Sequence, residues 1–248
     1  MYREVHLSAL PDHQLARKAL AELVGTALLV AGVVGSGIAA AQLSPGDVGL
    51  QLLENSAATV GILIAVILAL GPVSGAHLNP VVTLADRCFG GVTNREVLAY
   101  LPAQVAGGCL GAIAANVMFA EPVIALSTKD RATGPHLFAE VVATFGLLLV
   151  IFGVVRSGRA SAAPIAVGAY IGGAYFFTSS TSFANPAVTV ARTLSDTFAG
   201  IAPASAPGFI VAQAVGAALA VACAAALYPR LSAVADAVVV PHEESRQP

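Results

Sequence analysis

Two Asn-Pro pairs, Asn79-Pro80-Val81 and Asn185-Pro186-Ala187, carry the side chains of this sequence best suited to meet a ligand. Proline lacks an N–H and its fixed φ suits the first helical position, while asparagine is a strong N-cap, so each pair starts a helix. If the asparagine oxygen accepts a bond from the first helical turn, its amide N–H groups stay free to donate. Each helix start adds a partial positive charge of about 0.5 e. Two such starts meeting at one point would repel cations and offer donors to neutral hydrogen-bonding molecules. One pair alone is explained as well by an ordinary capped loop helix.

No other constellation promises chemistry. His6, His13, His77, His136 and His242 are scattered through tails and loops and form no metal-ligand pair, and no nucleophile–base arrangement is visible. No metal, cofactor or enzymatic activity is expected. Cys88, Cys109 and Cys223 match no common metal spacing and read as small buried hydrophobes. A net charge of −2 gives no reason to expect a nucleic acid partner.

The elements that hold the two pairs must be membrane helices. The chain is 57% hydrophobic and 10% charged, far below the roughly 25% charged residues of a soluble domain. With 24 Gly and no Trp it favours close helix contacts in lipid. Six apolar segments, about Leu20–Ala41, Ala57–Gly71, Glu96–Phe119, His136–Val155, Pro164–Thr178 and Pro207–Tyr228, approach the ~20 residues a span needs. The first is expected to be retained as a span, not cleaved as a signal peptide. The second and fifth look short, and each runs into a Gly/Ser-rich stretch and then an Asn-Pro pair, which points to half-membrane elements. Basic residues crowd the side shared by both termini, with Lys129, Arg131 and Arg192 opposite. Both termini are therefore expected in the cytoplasm, and the tail from Pro241 is expected to be mobile.

The two halves repeat. Asn79-Pro80-Val81-Val82-Thr83-Leu84-Ala85-Asp86 aligns with Asn185-Pro186-Ala187-Val188-Thr189-Val190-Ala191-Arg192. Upstream, Ala21-Glu22 matches Ala139-Glu140; downstream, Ala103-Gln104 and Gly107 match Ala212-Gln213 and Gly216. Three spans per half is an odd number, so the halves are inverted. The expected architecture is an all-α membrane protein of six transmembrane helices plus two re-entrant half-helices. Its parts are a tail 1–19, a first repeat 20–119, an outer loop 120–135, a second repeat 136–229 and a tail 230–248.

Over about Ala21 to Tyr228 the chain resembles the major intrinsic protein family of aquaporins and aquaglyceroporins, most specifically in Ser74-Gly75-Ala76-His77-Leu78-Asn79-Pro80-Val81-Val82-Thr83. The resemblance implies one pore per subunit, a homotetramer in a lipid bilayer, here a bacterial inner membrane, and passive conduction of water and small neutral solutes. It places Asn79 and Asn185 at the pore midplane, with Pro80, Val81, Pro186 and Ala187 completing the boxes. Counted without gaps, the family's outer filter falls on Thr59, Gly173, Ser182 and Val188. Most members carry Arg where Val188 stands, and water-selective members usually have Phe and His at the first two positions. The expected constriction is wide and nearly uncharged, suited to glycerol, urea, small polyols or neutral metalloid hydroxides such as arsenous acid. Some bacterial relatives lacking the arginine are linked to arsenic handling. Arg192, one turn beyond Val188, either guards the outer mouth or meets lipid headgroups.

An ionisable residue inside a span costs roughly 2.5–3.5 kcal/mol, so Glu22 and Glu140 need partners. The resemblance makes them acceptors for the box loops; Glu22 could instead snorkel beside Arg17 and Lys18. Gln104 and Gln213 either bond the re-entrant loops or serve interhelical packing, and His77 either supports its loop or titrates as a gate. An ion- or proton-coupled transporter would share the inverted repeats, but coupling calls for acidic groups at the centre.

Overall fold

In the computed structural model, which describes residues 12–228, every regular element is helical. They are α1 (Asp12–Leu43), α2 (Val48–Ser74), α3 (Pro80–Phe89), α4 (Asn94–Met118), α5 (Gly134–Arg156), α6 (Ala163–Phe177), α7 (Pro186–Ala191) and α8 (Ala206–Leu227), with single 3-10 turns at Ala160–Ala162 and Arg192–Leu194. Among the described residues six helices are long and apolar enough to cross a membrane, α6 counting with the 3-10 turn before it. The half-helices α3 and α7 hold 10 and 6 residues. His6, His242, the tail from Pro241 and most of the terminal tails lie outside the described residues.

The second span is full length, which corrects the short segment expected from hydropathy. α2 runs 27 residues because its polar N-terminal half is satisfied internally. Gln51 donates to Ser44 O, Asn55 to Val33 O and Ser36 Oγ, and Ser56 to Gly172 O. The polar groups that interrupted the apolar run are thus the ones that tie α2 to α1 and α6.

Packing follows the repeat. α1 packs on α4 as α5 packs on α8, and α2 meets α6 between the halves. Each half-helix also crosses over, α3 touching α8 and α7 touching α4. The tight contacts rest on glycine. A Cβ on Gly107 would lie 2.1 Å from Leu23 O, and one on Gly216, its repeat mate, 2.5 Å from Val141 O. Such approach lets dispersion between backbones replace the hydrophobic drive that lipid does not provide. Large apolar side chains such as Leu20, Leu28, Leu68, Leu98, Leu110 and Leu219 point outward, as a lipid-facing surface requires.

The cysteines differ from expectation. Cys88 is exposed and Cys109 and Cys223 are half-buried; all three are free thiols.

Candidate functional site

The half-helices begin where proline chemistry says they should. Asn79 and Asn185 are extended (φ −157 at both) and cap α3 and α7, with Pro80 and Pro186 at the first helical turn. Asn79 Oδ1 accepts from Val81 N–H at 3.1 Å; Asn185 Oδ1 accepts from Ala187 and Val188 N–H at 2.9 and 3.2 Å. Their amides are not wholly free, however. Asn79 Nδ2 donates to Ala184 O and Asn185 Nδ2 to Leu78 O, both at 2.8 Å. Each asparagine is thereby latched to the carbonyl just before the other. One N–H per amide remains, and both residues line the same cavity.

The loops leading into the boxes are bent hard. Gly75, Ala76 and Leu78 have φ of 86, 47 and 51, and the repeat-related Thr181, Ser182 and Ala184 have 63, 51 and 48. Non-glycine residues in this region cost about 1–3 kcal/mol each and persist only when surroundings hold them. Two fully buried glutamates provide the hold. Glu22 accepts from Ser74 Oγ, His77 N–H, Leu78 N–H and Gln104 Nε2 at 2.7–2.9 Å. Glu140 accepts from Phe183 N–H, Ala184 N–H and Gln213 Nε2 at 2.6–2.9 Å. Gln104 also donates to Thr83 Oγ1 and Gln213 to Thr189 Oγ1, while these threonines bond Asn79 O and Asn185 O. The same glutamate–glutamine–threonine–asparagine chain is thus built twice.

Two pairs of repeat-related positions break this symmetry. On the first loop His77 Nε2 lies 3.5 Å from Asp86 Oδ2, and Nδ1 is 3.1 Å from Thr83 Oγ1. On the second loop the equivalent residues are Phe183 and Arg192, and the guanidinium sits 3.4 Å from the ring centroid. Neither His77 nor Asp86 is solvent-exposed.

A narrow cavity of about 60 Å³ runs past both boxes. That is room for a short file of waters and not for bulk solvent. Its lining combines aliphatic side chains, among them Leu29, Val33, Leu63, Ile67, Leu147 and Ile151, with the polar groups of Asn79, Asn185, His77, Thr59, Ser182 and Arg192. No carboxylate lines it, since Glu22 and Glu140 stand behind the loops. Among the described residues no group of three or more His, Cys, Asp or Glu side chains is placed to hold a metal ion.

Thr59, Ser182 and Val188, assigned to the filter from the sequence, all line the cavity. Gly173 does not, and the filter position expected there is corrected: it is exposed, with nothing within 4 Å of a Cβ. α6 turns Gly172 against Val60 of α2, so Val167, Ile171 and Tyr175 face inward instead. Tyr175 is 3.0 Å from Thr59 Oγ1 through its hydroxyl. The expectation of a nearly uncharged constriction is corrected too. Arg192, 3% exposed, lines the same cavity as Val188, held by Phe183 and by a bond from its Nε to Ala199 O. Ser182 Oγ is buried without a hydrogen-bond partner. Tyr175 and Phe183 escaped the sequence reading; the one signal for Phe183 was its place beside the second box.

Residues 9–184 match the Major intrinsic protein family. The chain is 48% identical over 212 residues to the aquaglyceroporin AqpS of Rhizobium meliloti, covering 85% of this chain and 90% of that protein. It is 33% identical to aquaporin NIP2-3 of Zea mays, over 77% of this chain and 64% of that protein. Its fold is similar to the X-ray structure of the aquaglyceroporin from Plasmodium falciparum, with a TM-score of 0.63 at 20% identity, covering 88% of this chain and 99% of that one. These relatives are channels, not enzymes. With the paired half-helices, the latched asparagines and the twice-built support network in view, the chain belongs to the major intrinsic protein family.

Proposed function

We propose that this chain is a passive channel for water and for neutral solutes larger than water: glycerol, urea or a neutral metalloid hydroxide such as arsenous acid. The observation that carries the reading is the outer constriction. Val188 stands where most members place arginine, and the guanidinium that is present, on Arg192, is held over the Phe183 ring and anchored at Ala199 O. The cavity's mixed lining of aliphatic and polar side chains matches solutes that have hydrogen-bonding groups on a small uncharged frame. Its lack of carboxylates leaves an ion or proton nothing to couple to. The AqpS relative's description as an aquaglyceroporin supports passage of solutes beyond water. We further read the protein as a homotetramer of independent pores in a bacterial inner membrane, with both termini cytoplasmic.

The test is stopped-flow permeability in liposomes for water, glycerol, urea and arsenous acid, repeated with Val188→Arg. Restoring the arginine is expected to reduce the three larger solutes about ten-fold or more, a barrier change of about 1.4 kcal/mol, and water less. Unchanged ratios would remove Val188 from the filter, and flux that collapses with the proton gradient would replace the channel by a coupled transporter.

A further inference from the structure

Outside the constriction lies a second cavity, of about 210 Å³, lined by Val48, Leu52, Asn55, Lys129, Arg131, Thr181, Arg192 and Phe198. Three of these residues are cations and none is acidic. They come from two segments bound together at the outer surface. Ala125 N–H donates to Leu194 O and Ser127 N–H to Thr193 O, and Ala202 N–H donates to Lys129 O. This fastening brings the loop that carries Lys129 and Arg131 onto the stretch that carries Arg192.

The cations are held, but not neutralised, by their contacts. Lys129 Nζ donates to Phe198 O at 2.7 Å and stands over the Phe198 ring. Arg131 donates through Nε to Gly200 O at 3.0 Å, and its guanidinium lies 5.3 Å from the Phe183 ring whose centroid Arg192 approaches. Arg192 reaches Ala199 O. Carbonyls and aromatic faces orient a cation without cancelling its charge. The loop carboxylates are engaged elsewhere: Asp130 accepts from Ser205 Oγ and Ala132 N–H, and Asp196 accepts from Thr128. Glu140, the buried acid beneath, already accepts from two backbone N–H groups and Gln213. Two guanidinia and one ammonium thus line a cavity whose own lining holds no carboxylate, with Asp196 and Glu140 acting on them only from outside it.

We propose that this outer vestibule is a binding site for a small oxyanion, which seats against Lys129, Arg131 and Arg192 and partly closes the pore. Three preoriented donors in a concave, partly desolvated mouth match the geometry of a tetrahedral or carboxylate-like anion. Because Arg192 belongs to the vestibule and to the constriction alike, an anion seated there would lie on the axis of the outer entrance. The same charge cluster would repel cations before they reach the boxes.

Sulfate is a suitable probe, as its charge is constant near neutral pH. Calorimetry on the full chain in phospholipid-free micelles, with sodium chloride at matched ionic strength as the control, is expected to show saturable sulfate binding. Lys129→Gln and Arg131→Gln are each expected to weaken it about ten-fold, the effect of losing one charge-assisted hydrogen bond. In liposomes, external sulfate should lower water permeability, saturating in the range where binding saturates. Binding in micelles with no sulfate effect in phosphatidylcholine vesicles assigns the site to the headgroup phosphate, the same chemistry from another source. No saturable binding, or binding that both variants leave unchanged, would overturn the proposal. Since micellar binding is independent of what the pore conducts, such a result would leave the reading of the channel's solutes untouched. Lys129→Gln is the second safeguard, because Lys129 is exposed and its removal tests the site even if Arg131→Gln disrupts the loop.

Discussion

Glu140 holds two backbone N–H groups of a loop in which three consecutive-region residues have positive φ, so its charge acts as a mould for the chain path. Glutamine there has one acceptor oxygen and must turn an amide toward a donor. Leaving a buried donor unsatisfied costs about 1–3 kcal/mol. Glu140→Gln is expected to lower the thermal midpoint in detergent by several degrees and to reduce water permeability; an unchanged midpoint would mean that the loop holds itself. In the second cavity, partial desolvation and then the neighbouring Arg131 and Arg192 lower the Lys129 pKa to about 8, with Asp196 acting in the opposite direction. A lowered lysine pKa means that its charge is present below that value and is lost above it. Sulfate inhibition is therefore expected to weaken as external pH rises through about 8, and pH-independent inhibition from pH 6 to 9 would exclude Lys129 from the site.

The Asn-Pro boxes and both glutamates could be read from the sequence because capping and charge burial are local demands. Gly173 could not be placed that way. Which face of α6 turns inward is decided by Gly172 meeting Val60 across the helix pair, a contact that residue counting does not contain. Gly173→Ala is accordingly expected to leave the glycerol-to-water ratio unchanged, whereas Tyr175→Ala, which removes the ring beside Thr59, should raise it.

Among elements, the α1–α4 and α5–α8 pairs are set by backbone approach. A Cβ at Gly111 would lie 2.2 Å from Ala27 O, while one at Gly61 would meet nothing within 4 Å. Gly111→Ala must push α4 off α1 and is expected to destabilise by about 1–3 kcal/mol. Gly61→Ala should be neutral or slightly stabilising through helix propensity, worth up to about 1 kcal/mol. Comparing the two melting curves separates crowding from any general effect of alanine. The number of spans was legible from apolar length, but the start of α2 was not. Hydropathy counts Gln51, Asn55 and Ser56 as breaks, whereas in the folded chain they bond α1 and α6.

Across the whole molecule the duplication gives two nearly equal supports and one deliberate inequality. Asp86 and Arg192 occupy equivalent places, and one partners His77 while the other lies on Phe183. The two box segments therefore carry opposite charges although their backbones are alike, and only Arg192 of the two lines the cavity. The inverted repeat could be read from aligned boxes; this polarity needed the side chains' neighbours.

The reciprocal bonds from Asn79 to Ala184 O and from Asn185 to Leu78 O also bear on how the chain is made. During synthesis the first box emerges with a donor whose acceptor lies 105 residues downstream. It stays incomplete until the ribosome has delivered the second. Neither half is a finished unit, and a chain cut short before residue 184 would carry an unanswered amide into lipid, a mark by which membrane quality control could tell a fragment from a completed protein.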